Sequence, residues 1–124
     1  KHQCNIWQGK FPDKNTGEDG YLWTAPAKSF PANGFGLHNA SGNVWEWTSN
    51  WYYPEHHKHD SDNPTGPTLE QSINTAASAV PEKVIKGGSY LCAENYCLRF
   101  RPAAREAQDT GLGTSHIGFR TVKN

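Results

Sequence analysis

The chain has 124 residues with equal numbers of acidic and basic side chains, hence no formal net charge, and only 35% of it is hydrophobic. A neutral chain offers no basic field for nucleic acid and no polybasic arm for a membrane surface, and no run approaches the roughly 20 apolar residues that a membrane helix needs. One domain is the expectation, and five Trp, five Tyr and five Phe among 12 Gly and 8 Pro predict a small aromatic core carried by short strands and long hydrogen-bonded loops. Three cysteines are an odd count, which leaves at least one thiol free or metal-bound instead of completing a disulfide framework. Lys1 begins no recognisable secretory leader, so the compartment cannot be read from one.

Asn5 to Pro12 leads into Asn15-Thr16-Gly17-Glu18-Asp19-Gly20-Tyr21, where glycines alternate with side-chain oxygens. Such a loop turns sharply and points oxygens inward, and a hard cation such as Ca²⁺ takes about six to eight oxygens from carboxylates, amides and carbonyls. Asn5, Asp19 and neighbouring carbonyls can therefore form a cage, although an ordinary Asx-rich turn uses the same residues and the spacing is not that of an EF-hand. Pro26, Pro31, Gly34 and Gly36 punctuate an extended stretch from which Phe30 and Phe35 are expected to pack inward. Between Leu37 and Trp51 an Asn-x-x-Gly-Asn turn enters an alternating strand, with Val44, Glu46 and Thr48 on one face and Trp45, Trp47 and Ser49 on the other. Glu46 beside the turn at Asn39 is a second candidate calcium cage; the plainer reading makes it a solvated strand residue and the tryptophans core. Asn39-Ala40-Ser41 is a glycosylation sequon, but its use is not expected in so tight a turn.

Residues 52–83 read as a surface excursion with a short helix near Leu69 to Ala79. His56, His57 and His59 within it suit Zn²⁺ or Cu²⁺, against the commoner alternative of a solvated loop. Lys83 to Lys86 predicts a strand running into Gly87-Gly88, after which Cys92 and Cys97 stand five residues apart. Across a turn two such thiols can face each other, as a soft pair for Cu(I) when deprotonated or as a disulfide when oxidised, and the spacing alone does not choose. It is not Cys-x-x-Cys and no second pair exists, which argues against a zinc finger. Leu98 and Phe100 alternating with Arg99 and Arg101 predict a half-buried strand; a polar loop follows, then a closing strand from Ser115 to Val122 with Ile117, Phe119 and Thr121 on one face. Nucleotide and hydrolase readings find no phosphate-cradling glycine loop and no Gly-x-Ser-x-Gly elbow behind them.

Side by side, these stretches resemble the formylglycine-generating enzyme family, the sulfatase-modifying factors. The matching elements run in family order over nearly all of the chain: Asn-Ile-Trp-Gln-Gly with Asn-Thr-Gly-Glu-Asp-Gly, Gly-Leu-x-Asn-x-x-Gly-Asn-x-Trp-Glu-Trp-Thr, Lys-Gly-Gly-Ser-Tyr-x-Cys with Tyr-Cys-x-Arg, and Ile-Gly-Phe-Arg. The resemblance implies an α+β, irregular, loop-rich C-type lectin-like fold with short antiparallel strands and little helix. Residues 1–124 would be a single domain equivalent to the C-terminal half of the usual family domain, hence incomplete, with a second chain that completes it as a candidate partner. Structural Ca²⁺ is implied at Asn5, the Ile6 carbonyl, Asp19 and the Tyr21 carbonyl, and again at Asn39, the Gly42 and Val44 carbonyls and Glu46.

By the same resemblance Cys92 and Cys97 bind Cu(I). The implied reaction oxidises a cysteine in Cys-x-Pro-x-Arg of an unfolded sulfatase polypeptide, or another Cys-containing peptide, to formylglycine with O₂ and a thiol reductant. Cys92 is expected nearer the substrate and Cys97 as the more buried anchor. Ser89 and Tyr90 are expected around the oxygen pocket, Trp45 at the border of the site, and His116 where the family commonly has Asn; Arg105 is carried with them. Pro102 and Thr121 stand where vertebrate members have disulfide cysteines, which favours a bacterial cytoplasm or periplasm over a disulfide-rich secretory setting, and Cys4 has no counterpart. Alternatives are a non-catalytic C-type lectin-like binding module or inactive fragment, and an iron-dependent sulfoxide synthase of the same superfamily, whose histidine motif would lie outside this sequence.

Overall fold

A computed structural model describes residues 2–55, 65–76 and 79–123. Its elements in chain order are β1 (Trp45–Trp51), α1 (Leu69–Thr75), β2 (Glu82–Lys86), a 3-10 turn (Leu98–Phe100), β3 (Glu106–Asp109) and β4 (Ile117–Gly118). The four strands form one sheet in the order β3-β2-β1-β4. β1 and β2 are antiparallel with Trp47 opposite Ile85, and β2 and β3 are antiparallel with Val84 opposite Ala107. β4 joins β1 in parallel, Trp45 opposite Ile117, a pairing that the expectation of antiparallel strands did not include.

The alternation of β1 does what its sequence predicts: Trp45 is buried and Trp47 packs on the same cluster, while Thr48, on the other face, donates its hydroxyl to the Val84 carbonyl at 3.0 Å. α1 begins at a capping box, in which Thr68 Oγ1 accepts from Gln71 N–H and Gln71 Oε1 accepts from Thr68 N–H. It ends at Thr75, short of the expected Ala79, where Ala76 turns extended. Ser72, buried, ties the helix to the start of β2 by donating to the Glu82 carbonyl at 3.0 Å and accepting from Glu82 N–H at 3.2 Å.

The core is small. Trp45, Ile85 and Cys92 form its buried centre, with Trp47, Cys97, Phe100 and Ile117 packed around them. Much of the remaining order is polar: Asn5, Asn43 and Ser89 are buried side chains in the loops. Asn43, at φ 65, accepts from Ala25 N–H at 2.7 Å and returns a bond to the Ala25 carbonyl at 3.1 Å. Asn5 donates to Asn43 Oδ1 at 3.2 Å and to the Trp23 carbonyl at 2.8 Å.

Several expectations change. Leu98–Phe100 is a 3-10 turn, not a strand, and its backbone packs closely on Gly88 at Phe100. Glu106–Asp109, read as polar loop, is an edge strand whose four residues are all half-buried. Only Ile117–Gly118 remains of the closing strand, with Phe119 76% exposed. Phe30 packs inward, but Phe35 is 90% exposed on a turn closed by Asn33 Oδ1, which accepts from the N–H groups of Phe35 and Leu37. His56, His57 and His59 lie outside the described residues. Among the described residues no helix is long and apolar enough to cross a membrane.

Gly88 has φ +70, and a Cβ there would stand 2.7 Å from Phe100 Cα, a backbone atom that cannot swing aside. Gly88→Ala is expected to cost on the order of 3 kcal/mol, strain and overlap together. Urea denaturation checks this, and a loss below about 0.5 kcal/mol, the size of an ordinary surface substitution, would contradict it.

Candidate functional site

Past the end of β2, Gly87 and Gly88 take positive φ and turn the chain under β1, delivering Ser89, Tyr90, Cys92 and Ala93 into the interior. Backbone bonds fix the register: Gly42 N–H to the Gly87 carbonyl at 2.7 Å, Tyr90 N–H to the Asn43 carbonyl at 2.9 Å, and Trp7 N–H to the Cys92 carbonyl at 2.9 Å. Ala93 then accepts from the N–H groups of Tyr96 and Cys97 at 3.1 and 2.8 Å, a tight turn that brings the second thiol back over the first. The two Sγ atoms stand 3.0 Å apart, and both cysteines are free.

Burial, and after it the shared hydrogen bond with Cys97, pushes the Cys92 thiol up to about 12, against smaller opposing pulls from the Ser89 backbone and Arg99. Cys92 therefore holds its proton near neutral pH, and any metal it takes must displace that proton. Among the described residues no group of three or more His, Cys, Asp or Glu side chains converges. A donor set of two sulfurs suits a soft ion such as Cu(I) and falls short of a tetrahedral zinc site. The expected order of burial is reversed: Cys92 is 3% exposed and belongs to the core, whereas Cys97, on the outer arm of the turn, is half-buried.

Trp45 packs against Cys92, and its N–H donates to the His116 carbonyl at 2.8 Å, which places His116 at the edge of this cluster through its backbone. Ser89 Oγ accepts from Leu91 N–H at 3.2 Å, and Tyr90 packs edge-on against Trp23. Arg105 lies elsewhere, at the root of the excursion, donating to the Tyr53 and Pro54 carbonyls at 2.5 and 2.8 Å with its guanidinium against the Tyr52 ring. Burial, and then the Asp19 carboxylate, pushes the third thiol, Cys4, up as well.

Both oxygen loops close, each around a donor that the sequence reading missed. In the first, the Ile6 carbonyl and Asp19 Oδ2 converge on one nitrogen, Gln8 Nε2, at 2.5 and 2.9 Å. Tyr21 gives its N–H to Asp19 Oδ1 at 2.9 Å, while Asn5 faces Asn43 instead. In the second, Asn39, Val44 and Glu46 line a cavity of about 430 Å³, and Arg120 enters it. Its guanidinium grips both Glu46 carboxylate oxygens and donates to the His38 and Asn39 carbonyls, and the Glu46 hydrogen bond pushes its pKa further up. Asn39 Nδ2 donates to the Ala27 carbonyl, yet Asn39 Oδ1 is buried without a hydrogen-bond partner. An orphaned buried oxygen in a cavity that a carboxylate also lines fits a cation ligand.

The sulfatase-modifying factor enzyme 1-like domain family matches residues 1–124. Over 120 residues the chain is 48% identical to the formylglycine-generating enzyme of Mus musculus, matching 97% of this chain and 30% of that protein. To the formylglycine-generating enzyme of Mycobacterium tuberculosis it is 49% identical over 119 residues, which cover 96% of this chain and 39% of that protein. It thus spans well under half the length of these relatives. Among solved structures, Treponema denticola variable protein 1 superposes with a TM-score of 0.60 at 25% identity, over 94% of this chain and 34% of that one.

A pKa raised from 9.0 to about 12 on folding means that the native state holds the Cys92 proton more tightly than the unfolded chain does. That contribution to stability is complete below the unfolded value and is lost as pH rises through the folded one. The thermal midpoint should therefore fall more steeply from about pH 9 to 12 than that of Cys92→Ser; parallel curves would show that Cys92 keeps an ordinary thiol pKa.

Proposed function

Because the chain belongs to the sulfatase-modifying factor enzyme family, with its irregular α+β C-type lectin-like fold, we propose that it carries the copper centre of a formylglycine-generating oxidase. The proposed substrate is a cysteine within Cys-x-Pro-x-Arg of an unfolded sulfatase polypeptide, converted to formylglycine with O₂ and a thiol reductant. The observation that carries the reading is the 3.0 Å approach of Cys92 and Cys97 across a turn fixed by backbone bonds. Bound Cu(I) would supply the one-electron and O₂ chemistry that protein side chains lack.

The chain's own residues supply the rest. Cys92 and Cys97 would hold the ion through their sulfurs, Cys92 after giving up the proton that burial favours. Trp45 and Phe100 pack in the cluster that buries Cys92 and keep water from that sulfur. Ser89 Oγ, oriented by Leu91 N–H, presents a hydroxyl beside the buried arm. Exposure favours approach of a substrate thiol on the Cys97 side, the reverse of the order expected from the sequence. His116, tied to Trp45 through its carbonyl, borders the site. Calcium in the two oxygen loops would pin segments that the small core leaves to polar bonds.

A Cu(I) titration against a competing chelator tests the centre. One-to-one binding should weaken by at least about a hundredfold in both Cys92→Ser and Cys97→Ser, since either change leaves a single soft donor. Formylglycine formation in a Cys-x-Pro-x-Arg peptide should vanish in the same variants. Normal turnover by either variant would end the assignment.

A further inference from the structure

The first oxygen loop holds an arrangement that its calcium reading does not explain. The Ile6 carbonyl and Asp19 Oδ2 both point at Gln8 Nε2, and Gln8 Oε1 accepts from Asp19 N–H at 3.3 Å. Only this orientation of the amide works: turned over, its oxygen would face two acceptors and its nitrogen a donor. Asp19 takes further N–H groups from Ile6 at 3.3 Å and Tyr21 at 2.9 Å, but among the described residues no lysine or arginine pairs with it. The carboxylate is thus hydrogen-bonded yet not charge-compensated. The Gln8 backbone is anchored on both sides, its N–H to Asn15 Oδ1 at 3.2 Å and its carbonyl from Thr16 N–H at 2.8 Å, so the side chain can swing while the loop stays in place.

We propose that Gln8 is a displaceable stand-in for the cation of this loop: its amide nitrogen satisfies the Ile6 and Asp19 oxygens in the metal-free chain and swings out when a divalent cation takes the point between them. The proposal rests on the calcium reading given above. A neutral amide is suited to the task because it leaves the Asp19 charge available to attract the ion, and it gives up only hydrogen bonds when it departs. The second loop is built differently, since a cation entering there must contend with the permanent charge of Arg120, already engaged with both Glu46 oxygens.

The test is isothermal titration of the protein with Ca²⁺, together with melting curves, for wild type, Gln8→Ala, Gln8→Leu and Asp19→Asn. Each net hydrogen bond no longer surrendered is worth roughly a factor of five, so with the two bonds of Nε2 gone Gln8→Ala should bind Ca²⁺ roughly 25-fold more tightly. Without metal it should melt below wild type, and at saturating Ca²⁺ the two should melt together. Gln8→Leu, which keeps the bulk of the stem, should behave alike if the alanine variant folds poorly. Asp19→Asn should abolish this binding, which assigns the heat to the first loop; binding by Gln8→Ala alone would also support the stand-in. Unchanged or weaker binding by both Gln8 variants, with wild type binding normally, overturns the stand-in and leaves the calcium reading intact. Absence of binding in wild type and Gln8 variants overturns both.

Discussion

The interaction on which the rest of the structure depends is the buried pairing of Asn5 with Asn43. Its geometry joins four segments: Asn43 accepts from Ala25 N–H and from Asn5 Nδ2, Asn43 N–H donates to the Asn5 carbonyl at 2.7 Å, and the Asn43 carbonyl receives Tyr90 N–H. Only asparagine does all of this cheaply, since it tolerates positive φ and offers a donor and an acceptor at once. Gly42, directly before it, must be glycine, because a Cβ would stand 2.3 Å from the Asn5 carbonyl oxygen. A buried amide left without partners costs about 1 to 3 kcal/mol, so the node is cooperative: each segment satisfies the next, and the cysteine turn hangs from it.

The turn is placed by that polar node and filled by the aromatic core, and this gives Cys92 two demands that pull in opposite directions. As a member of the Trp45–Ile85 cluster it is a small hydrophobe, and burial keeps its proton on. In the proposed role of metal donor it would have to lose that proton. Cys97, half-buried on the outer arm, is less constrained, so the pair divides into an anchored sulfur and an accessible one. Proton release from the buried sulfur would then be part of the proposed metal uptake, whichever ion is taken.

Much of this was legible in the sequence where a period or a turn signal carried the information. The faces of β1, the strand into Gly87-Gly88 and the meeting of Cys92 with Cys97 all follow from alternation, paired glycines and spacing. What escaped were features decided by partners distant in sequence. Glu106–Asp109 has no apolar alternation and is a strand because β2 offers it an edge. Leu98–Phe100 alternates like a strand but is a 3-10 turn whose backbone packs on Gly88. Phe35 escaped for a local reason instead: it carries an inward residue type on a turn that the neighbouring Asn33 side chain closes. Gln8 and Arg120 sat inside recognised motifs, but a motif names a residue without stating that its side chain closes an oxygen loop.

Those two closures bear on how a chain with so little apolar interior stays ordered. Loops rich in inward oxygens repel themselves unless something positive lies among them, and this chain supplies that from within at both places. The solutions differ in charge and therefore in consequence. Arg120, reaching from beyond β4 to Glu46 on β1, brings a full charge that also ties the C-terminal segment to the sheet at the very strand whose Trp45 covers Cys92. Gln8 brings only a dipole, held one residue from Trp7, whose N–H receives its register from the Cys92 carbonyl. Whatever occupies the first loop is thus two short steps of backbone from the candidate copper centre. The charged closure braces the strand that carries Trp45, and the neutral one braces the segment whose Trp7 pairs with Cys92.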